Sequence, residues 1–377
     1  MTAHGPTSLT RIEPKPATGQ GSSTPWRRAW DALRGVQRQR SFVFEVTARC
    51  NHACAHCYNV WNIDGAAYPQ GELDTAASLA MLERMLDQTG AQLVTLSGGE
   101  PLLRGDLHRI VDFLAGRGVT VNLISNGRLL DAEAIARFSD RVSLFELPLL
   151  SADRALHDEM SGAPGAFDRV TEAIADLKLA RQHVVGVFVA TRKNLPTWRE
   201  TAELGFALGL DAMMFNRFNP GGRGRAHVQQ LLPTPGELRE ALAAADEISG
   251  RLGLPIACSI SMPPCLVDTR PFTRLTFGSC AAGTENAYYT LDPLGNVRPC
   301  NHSPTILGNV RDRRFRSLAR GAAMRRFLAA LPEFCSDCSR RRECRGCCKA
   351  AGEACYGSAA ALEPFVATYR GAADKGL

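Results

Sequence analysis

The chain has 377 residues, more than one hydrophobic core usually serves, so we expect a large domain followed by a smaller one. Its hydrophobic fraction of 45% and charged fraction of 22% exclude disorder, collagen and coiled coil, and the net charge of +6 is too mild to indicate nucleic-acid binding. No apolar run reaches the ~18 residues of a membrane helix, and the N-terminus lacks a secretory signal, so we expect a cytoplasmic protein without membrane contact.

Short apolar strands alternate with amphipathic helices along the first two thirds of the chain. Residues 1–40 are predicted to be a flexible tail, since they begin with a stretch rich in Pro, Gly, Ser and Thr. The predicted strands are Phe42–Thr47, Gln92–Leu96, Thr120–Ile124, Val142–Leu147, Val184–Ala190 and Ala212–Phe215. The predicted helices between them are Thr75–Gln88, Asp106–Arg117, Phe167–Arg181 and Thr197–Leu208. Such repeats favour an α/β fold with parallel strands, in an open sheet or a partial barrel.

The domain organisation follows from where this alternation stops. We expect the α/β domain to cover residues 41–232 and a linking helix to cover 233–254. Residues 255–362 contain short strands, glycines, prolines and cysteines but few large apolar residues, so bound metal is expected to help hold them together. A hairpin is predicted from Ala287–Leu291 and Asn296–Pro299, and residues 363–377 are predicted to be a C-terminal tail.

The 13 cysteines are distributed unevenly. Their share is well below the ~8–10% of a disulfide scaffold, and in a reducing cytosol such a count indicates metal ligation or redox chemistry. Three of them, Cys50, Cys54 and Cys57, follow the first predicted strand, and the other ten lie between residues 258 and 355. The pattern therefore predicts two metal-binding regions.

The first region can bind either of two metals. Three thiolates within eight residues suit a cubane iron–sulfur cluster with one iron left open. A structural zinc knuckle is the alternative, with His52 or His56 as the fourth ligand.

The spacing Cys50–Cys54–Cys57 resembles the CxxxCxΦC signature of the radical S-adenosylmethionine (radical SAM) superfamily. His56 stands at the aromatic position, and Tyr58 follows the last cysteine. The segment from Ser97 to Pro101 resembles the family's GGEP loop.

The resemblance implies a partial (β/α)6 TIM-like barrel in which His56, Tyr58 and the GGEP loop bind SAM. In that loop the backbone of Gly98 and Gly99 approaches the methionine end of SAM and binds its amino group, Glu100 supports this cationic end, and Pro101 completes the cofactor-binding motif. A side chain at Gly99 is therefore expected to intrude on SAM and to leave the iron in place.

Weaker matches extend the predicted cofactor site. Ser125 and Asn126 resemble the family's motif near the SAM carboxylate or ribose. The family's ribose-binding serine is replaced by Pro148, so Ser151 is the nearest candidate. Asn194 and Arg217 are either further cofactor contacts or ordinary polar residues of loops. The glycine-rich segment 221–225 is either a flexible rim loop or an anion contact.

The cysteines after residue 258 resemble the SPASM extension, a cysteine-rich domain that carries auxiliary [4Fe-4S] clusters. The resemblance implies that the first auxiliary cluster is held by Cys265 (chosen over Cys258), Cys280, Cys300 and Cys348. The second cluster is then held by Cys335, Cys338, Cys344 and Cys355, with Cys347 or an open position as alternatives to the last ligand. A zinc ribbon would explain only the CxxC pairs.

Cys347 stands beside a ligand where the family pattern commonly has glycine. One interpretation makes it a catalytic residue, because a weak S–H bond can deliver a hydrogen atom to a substrate radical. The alternatives are a replacement ligand for the second auxiliary cluster or an inert thiol.

Taken together, the resemblance implies three [4Fe-4S] clusters and SAM as cofactors. Reductive cleavage of SAM then gives a 5′-deoxyadenosyl radical that takes a hydrogen atom from substrate. The expected substrate is a ribosomally made peptide, and the alternative substrates are a sugar, an antibiotic or a tetrapyrrole. A further alternative is a non-enzymatic protein that uses its clusters to carry electrons. The expected partners are a one-electron reductant such as flavodoxin or ferredoxin and a separate leader-binding protein.

Overall fold

A computed structural model describes Trp26, residues 41–62 and residues 68–373; the predicted tail 1–40 lies outside the described residues except for Trp26. The main structure is one sheet. Its strands are β1 Ser41–Glu45, β2 Leu93–Ser97, β3 Thr120–Ile124, β4 Leu144–Pro148, β5 Val184–Ala190, β6 Ala212–Arg217, β7 Ile256–Cys258, β8 Thr276–Phe277, β9 Tyr289–Leu291, β10 Asn296–Arg298 and β11 Gly308–Asn309.

The strand order is β11-β10-β9-β1-β2-β3-β4-β5-β6-β7-β8, and β1 to β8 pair in parallel with their sequence neighbours. The sheet does not close, which confirms the predicted α/β partial barrel. The six predicted strands are all present, with ends that shift by a few residues. Because parallel strands put their carboxyl ends at one edge, the loops after β1, β2, β3 and β4 meet there.

Helices connect successive strands. They cover Thr75–Thr89, Leu107–Gly116, Ala132–Phe138, Arg154–Ser161, Ala166–Leu179, Trp198–Ala207, Val228–Leu231 and Pro235–Leu252. Side-chain caps mark the N-termini of several helices. The carboxylates of Asp74, Asp131 and Asp153 each accept a hydrogen bond from the backbone N–H three residues later, and Thr234 forms a full capping box with Glu237. Ala132–Phe138 and Arg154–Ser161 were not among the predicted helices, because they are only seven and eight residues long.

The two faces of the sheet differ. On the outer face, side chains such as Phe44, Leu96 and Phe215 pack against the helices in the main core. Side chains on the other face, which we call the inner face, form a separate apolar cluster: Leu93, Leu144, Val185, Ala212, Met214 and Ala257, with Trp26 and Val187 against it. The alternation follows from the two-residue period of a strand.

The C-terminal region continues the barrel sheet. The predicted hairpin is present as β9 and β10, and β9 pairs in parallel with β1. Arg298 of β10 is fully buried and pairs with Glu45 of β1, and its guanidinium lies 5.7 Å from the ring of Trp61. Burial raises the pKa of Glu45 to about 7 although Arg298 lowers it. A buried pair of this kind fixes the position of the hairpin on the barrel.

Beyond the hairpin the helices are Phe315–Ala319, Ala322–Ala329, Arg341–Cys344, Lys349–Tyr356 and Pro364–Ala373. The last of them lies within the segment predicted as a tail. Glu363, Phe365 and Val366 are buried there, so the start of this helix is packed against the body. Among the described residues, no helix is both long and apolar enough to cross a bilayer.

Candidate active site and cluster-binding sites

The loop that carries Cys50, Cys54 and Cys57 leaves β1 at the carboxyl edge of the sheet, and other loops support it closely. The Ala53 N–H donates to the Ser161 carbonyl at 3.2 Å, and the Gly224 N–H donates to the Cys57 carbonyl at 2.9 Å. A Cβ added to Gly162 would lie 2.5 Å from the Ala53 oxygen, and one on Gly222 would lie 2.8 Å from the Cys57 oxygen. Glycine is required at both places by close backbone approach.

Segment 221–225, predicted as a flexible rim loop or an anion contact, therefore packs on the cysteine loop. It forms a short 3₁₀ helix, Gly222–His227, with Gly222 and Gly224 buried. Arg223 has a buried Nη1 without a partner in the described part of the chain, and its charge lowers the pKa of Cys54, a thiol whose pKa burial raises strongly. A cation beside a buried thiol favours its ligating thiolate form.

The three thiols suit an iron–sulfur cluster. Cys50 is exposed, and Cys54 and Cys57 are half-buried and unpaired with each other. The His52 N–H lies 3.5 Å from the Cys50 sulfur, and Asn62 Nδ2 lies 3.4 Å from the Cys57 sulfur, as donors do around cluster thiolates.

A single zinc ion fits this loop less well. No three His, Cys, Asp or Glu side chains of the described residues are close enough to hold one metal ion. A zinc knuckle requires such convergence, whereas in a cubane each thiolate binds a different iron.

The glycines of the GGEP loop face the cysteine loop. The Gly99 N–H donates to the Thr47 carbonyl and the Glu100 N–H to the Arg49 carbonyl, both at 2.8 Å. A Cβ on Gly99 would lie 2.6 Å from the Arg49 carbonyl carbon and 2.8 Å from the Ala48 oxygen. A side chain here would strike the backbone that leads into Cys50, which differs from the expected intrusion on SAM alone.

Glu100 joins two strand ends. It is fully buried, and its carboxylate accepts from the Leu102 N–H at 3.1 Å, the Ser125 hydroxyl at 2.9 Å and the Asn126 N–H at 2.7 Å. The Asn126 amide donates in turn to Asn51 Oδ1 at 2.7 Å. Burial raises the pKa of Glu100 to about 7, and these donors act in the opposite direction. The carboxylate thus positions Ser125 and Asn126 rather than facing an open site.

Three other predicted cofactor contacts are occupied within the protein. Ser151 is buried and bonds to the Thr197 hydroxyl at 2.9 Å. Asn194 is buried and uses both amide atoms on backbone groups, donating to Leu150 and Val189. These two residues join the loops after β4 and β5, and both side chains are hydrogen-bonded within the protein.

Arg217 at the end of β6 is also buried inside the protein. Its Nη2 lies 2.7 Å from Glu363 Oε2, and its Nε donates to the Ser261 carbonyl at 2.8 Å. The carboxylate of Glu363 raises the pKa of Arg217, against the effect of burial. Arg217 thus anchors the C-terminal helix, whereas the sequence analysis considered it as a possible cofactor contact.

His56 and Tyr58 face different neighbours. His56 has a buried Nδ1 without a partner in the described residues, and burial lowers its pKa to about 4. The Tyr58 ring stacks on His302 at 4.1 Å, and its hydroxyl accepts from Asn301 Nδ2 at 3.0 Å. Asn219 Nδ2 lies 3.1 Å from His302 Nδ1 and 3.3 Å from the Cys348 sulfur. A continuous set of contacts therefore joins the first cysteine loop to the C-terminal cysteines.

Cys280, Cys300 and Cys348 line one cavity, together with Asn219 and His302. Burial, together with the neighbouring thiolates of Cys348 and Cys280, raises the pKa of Cys300 to about 12. The three sulfurs are close enough to interact electrostatically, as a shared cluster requires. Sequence reasoning missed Asn219 and His302, although His302 stands two residues after a cysteine.

A second group contains Cys335, Cys338 and Cys344, and Cys265 lies with it. Burial raises the pKa of Cys265 to about 11, and its largest charge interactions are with Cys344, Cys335 and Cys338. Cys355 interacts instead with Arg225 and Cys348, and its sulfur lies 3.9 Å from the Pro220 carbonyl. Cys265, expected at the first auxiliary cluster, thus lies with the second group, and Cys355, expected at the second, has other charged neighbours.

Cys347 and Cys258 are both buried. The Cys347 sulfur lies 3.8 Å from the Ser261 carbonyl and 3.7 Å from Arg217 Nη2, and its backbone has a left-handed φ of 58°. It is enclosed by protein on these sides, which leaves little surface for a substrate. Cys258 ends β7 within the main core.

Family models match both parts of the chain. The model of the radical SAM superfamily matches residues 44–205, and that of the SPASM iron–sulfur cluster-binding domain matches residues 280–348. The first match covers the strands around Cys50, Cys54 and Cys57, and the second ends at Cys348. The two domains imply iron–sulfur clusters and SAM as cofactors.

Similar proteins extend across most of the chain. An AdoMet-dependent heme synthase of Oleidesulfovibrio alaskensis is 28% identical over 343 residues, covering 86% of this chain and 86% of the relative. A PqqA peptide cyclase of Methylocella silvestris is 28% identical over 328 residues, covering 85% of each chain. The crystal structure of Streptococcus suis SuiB bound to S-adenosylmethionine has the same fold, with a TM-score of 0.68 at 15% identity over 86% of this chain and 76% of SuiB. The chain therefore belongs to the radical SAM superfamily of enzymes and carries a SPASM domain after its partial barrel.

Proposed function

We propose that this enzyme modifies a ribosomally made peptide by radical chemistry that begins with reductive cleavage of SAM. The observation that carries the proposal is the cysteine loop, which the glycine backbones of three other segments hold rigidly at the carboxyl edge of the barrel. When bound, a cluster and SAM supply a 5′-deoxyadenosyl radical that takes a hydrogen atom from substrate.

The chain's own residues bind and orient these cofactors. Cys50, Cys54 and Cys57 hold the first cluster, and the backbone of Gly98 and Gly99 lies beside it. Asn126 extends this edge, because its side chain is tied to Asn51 of the cysteine loop and its N–H to Glu100. Such contacts fix the cofactor against the barrel mouth and help to exclude water.

Two auxiliary clusters are proposed for the SPASM domain. Cys280, Cys300 and Cys348 hold the first, which leaves one iron without a protein thiolate. Cys335, Cys338, Cys344 and Cys265 hold the second, because the electrostatic contacts of Cys265 are with this group. The segment after Ser261 supports the assignment, since the Ser261 carbonyl contacts Cys347, three residues from Cys344. Together with the first cluster, the two auxiliary clusters require about twelve irons per chain. A flavodoxin or ferredoxin is the proposed electron donor.

Support for a peptide substrate comes from the similar proteins. One relative is a PqqA peptide cyclase, and one fold neighbour is SuiB bound to precursor peptide SuiA, with a TM-score of 0.66. A separate protein that binds the leader is part of this proposal. The second candidate substrate is a tetrapyrrole, which the similarity to AdoMet-dependent heme synthases favours.

The experiment compares the two substrate classes directly. Anaerobically reconstituted protein is incubated with SAM, reductant and either a candidate precursor peptide or a tetrapyrrole, and 5′-deoxyadenosine and product mass are followed. A mass change in the peptide, in step with 5′-deoxyadenosine, is the expected result. Coupled turnover of the tetrapyrrole, with the peptide unchanged, would replace the peptide proposal with the second candidate.

A further inference from the structure

Two buried polar side chains on the inner face of the sheet have no role in the cluster sites. Asn122 of β3 is fully buried, and neither its Nδ2 nor its Oδ1 has a hydrogen-bond partner in the described part of the chain. Glu146 of β4 is 5% exposed, and its Oε1 is likewise unpartnered among the described residues. Unpaired buried polar groups of this kind are rare in folded proteins because they cost stability.

Strand register places the two side chains together. Asn122 pairs with Leu144, and Ile124 pairs with Glu146, so Asn122 and Glu146 are diagonal neighbours on adjacent parallel strands. Leu144 belongs to the inner-face cluster, which shows that Asn122 and Glu146 point to this same face.

Glu146 lies nearer than Asn122 to the cysteine loop. It lies in the same row of the sheet as Ser97 and Glu45, at the carboxyl edge where the cysteine loop begins. Its charge also raises the pKa of Tyr58, which follows Cys57. Leu144, which pairs with Asn122, and Val185, which pairs with Glu146, belong to the apolar inner-face cluster. The pair therefore forms a polar patch beside an apolar cluster, and Glu146 lies on the side of the cysteine loop.

Within the part of the chain that the structure describes, the polar patch has no compensating partner. Glu45 in the same row is paired with Arg298, but no cation among the described residues alters the pKa of Glu146, and burial raises that pKa to about 7. Natural sequences retain such a destabilising arrangement mainly where function requires it.

We propose that Asn122 and Glu146 form a substrate-binding site inside the barrel that takes an amide group. The inference rests on the proposed function, since a peptide presents such groups. Asn122 offers two N–H donors and one acceptor, and the Glu146 carboxylate offers a second acceptor. The C=O of an amide accepts from Asn122, and its N–H donates to one of the two acceptors; a primary amide, such as that of an Asn or Gln side chain, has two N–H groups and satisfies both. The amide is held inside the barrel, on the side of the cysteine loop.

The test uses thermal stability, because the site without its ligand is destabilising. Asn122→Leu keeps the side-chain volume and removes the unpaired amide, so the melting temperature of the full-length protein is expected to rise. Asn194→Leu is the matched control: this asparagine is equally buried but fully hydrogen-bonded, so the same change is expected to lower the melting temperature. A fall for Asn122→Leu as large as that of the control would overturn the proposal.

Ligand binding is tested with N-acetylglycinamide as the probe. The probe is expected to raise the melting temperature of the wild type and to leave that of Asn122→Leu unchanged. Glu146→Leu is the second variant, with the same expected results should Asn122→Leu fail to fold. A wild type that does not respond to the probe would contradict the amide assignment. Reductant-dependent SAM cleavage by the wild type, measured without the probe, tests the proposed function independently.

Discussion

Replacing Gly99 by alanine tests how the GGEP loop supports the first cluster. The added Cβ would lie 2.6 Å from the Arg49 carbonyl carbon and 2.8 Å from the Ala48 oxygen, whereas ordinary contacts begin at 3.4 Å. The backbone before Cys50 must therefore move by about 1 Å, as steric exclusion requires. That movement strains the hydrogen bonds from Gly99 to Thr47 and from Glu100 to Arg49.

The expected loss of stability follows from these contacts. Overpacking a tight site costs about 1–3 kcal/mol, and each weakened backbone hydrogen bond costs about 0.5–1.5 kcal/mol. Together the overpacking and the two weakened hydrogen bonds destabilise the junction between the cysteine loop and the GGEP loop by about 2–6 kcal/mol. Because the strain acts on the segment that leads into Cys50, cluster retention and SAM binding should fall together.

The assay measures iron content, SAM binding and melting temperature after anaerobic reconstitution. Gly99→Ala is expected to lose about four irons per chain, those of the first cluster, and to bind SAM weakly. Gly105→Ala is the matched control, because a Cβ on Gly105 meets nothing within 4 Å, and it should behave as the wild type. If Gly99→Ala kept its full iron content and only its SAM binding were weakened, the reasoning would be refuted. The added side chain would then contact SAM and not the backbone before Cys50.

Three further predictions follow from the site. Cys265→Ala should lower the iron content more than Cys355→Ala, as chemical iron analysis shows; equal or reversed losses would return Cys355 to the second auxiliary cluster. Asn219→Leu removes the N–H donor 3.3 Å from the Cys348 sulfur, so the midpoint potential of the first auxiliary cluster should fall in a redox titration followed by EPR, and an unchanged potential would contradict this. Burial raises the pKa of Glu146 from 4.5 to about 7, so its contribution to stability is present below pH 4.5 and lost as pH rises through 7. Glu146→Gln should remove up to about 3 kcal/mol of this pH dependence, measured by denaturant unfolding between pH 5 and 8; an unaltered slope would show that Glu146 does not titrate there.

The elements of the barrel could be predicted because each follows from local pattern. The six apolar strands have the two-residue or continuous pattern of buried β-structure, and the motif around Cys50 is contiguous in sequence. The pairing of β9 with β1 could not be predicted, since it joins residues almost 250 positions apart. The packing of the helix that begins at Pro364 involves the pair of Arg217 with Glu363, and no local pattern identifies Glu363 as the partner.

The candidate site likewise contains residues that the sequence could predict and residues that it could not. Spacing identified the cysteines of each motif, but the grouping of Cys265 depends on how the loop after β7 folds back. The predicted contacts at Ser151 and Asn194 were chosen by position after a strand, and position does not reveal that both side chains are already hydrogen-bonded within the protein. Asn122 and Glu146 were missed because a polar residue inside a strand has the same appearance in sequence whether it faces solvent or the barrel interior.

The most direct measurement of the central claim is reductant-dependent formation of 5′-deoxyadenosine from SAM without added substrate. The wild type should produce it once reconstituted with iron and sulfide, and the triple variant Cys50→Ala, Cys54→Ala, Cys57→Ala should produce none while it retains the iron of the SPASM domain. Undiminished 5′-deoxyadenosine formation in the triple variant, or stoichiometric zinc in an inactive wild type, would contradict the assignment of this loop as the SAM-cleaving site.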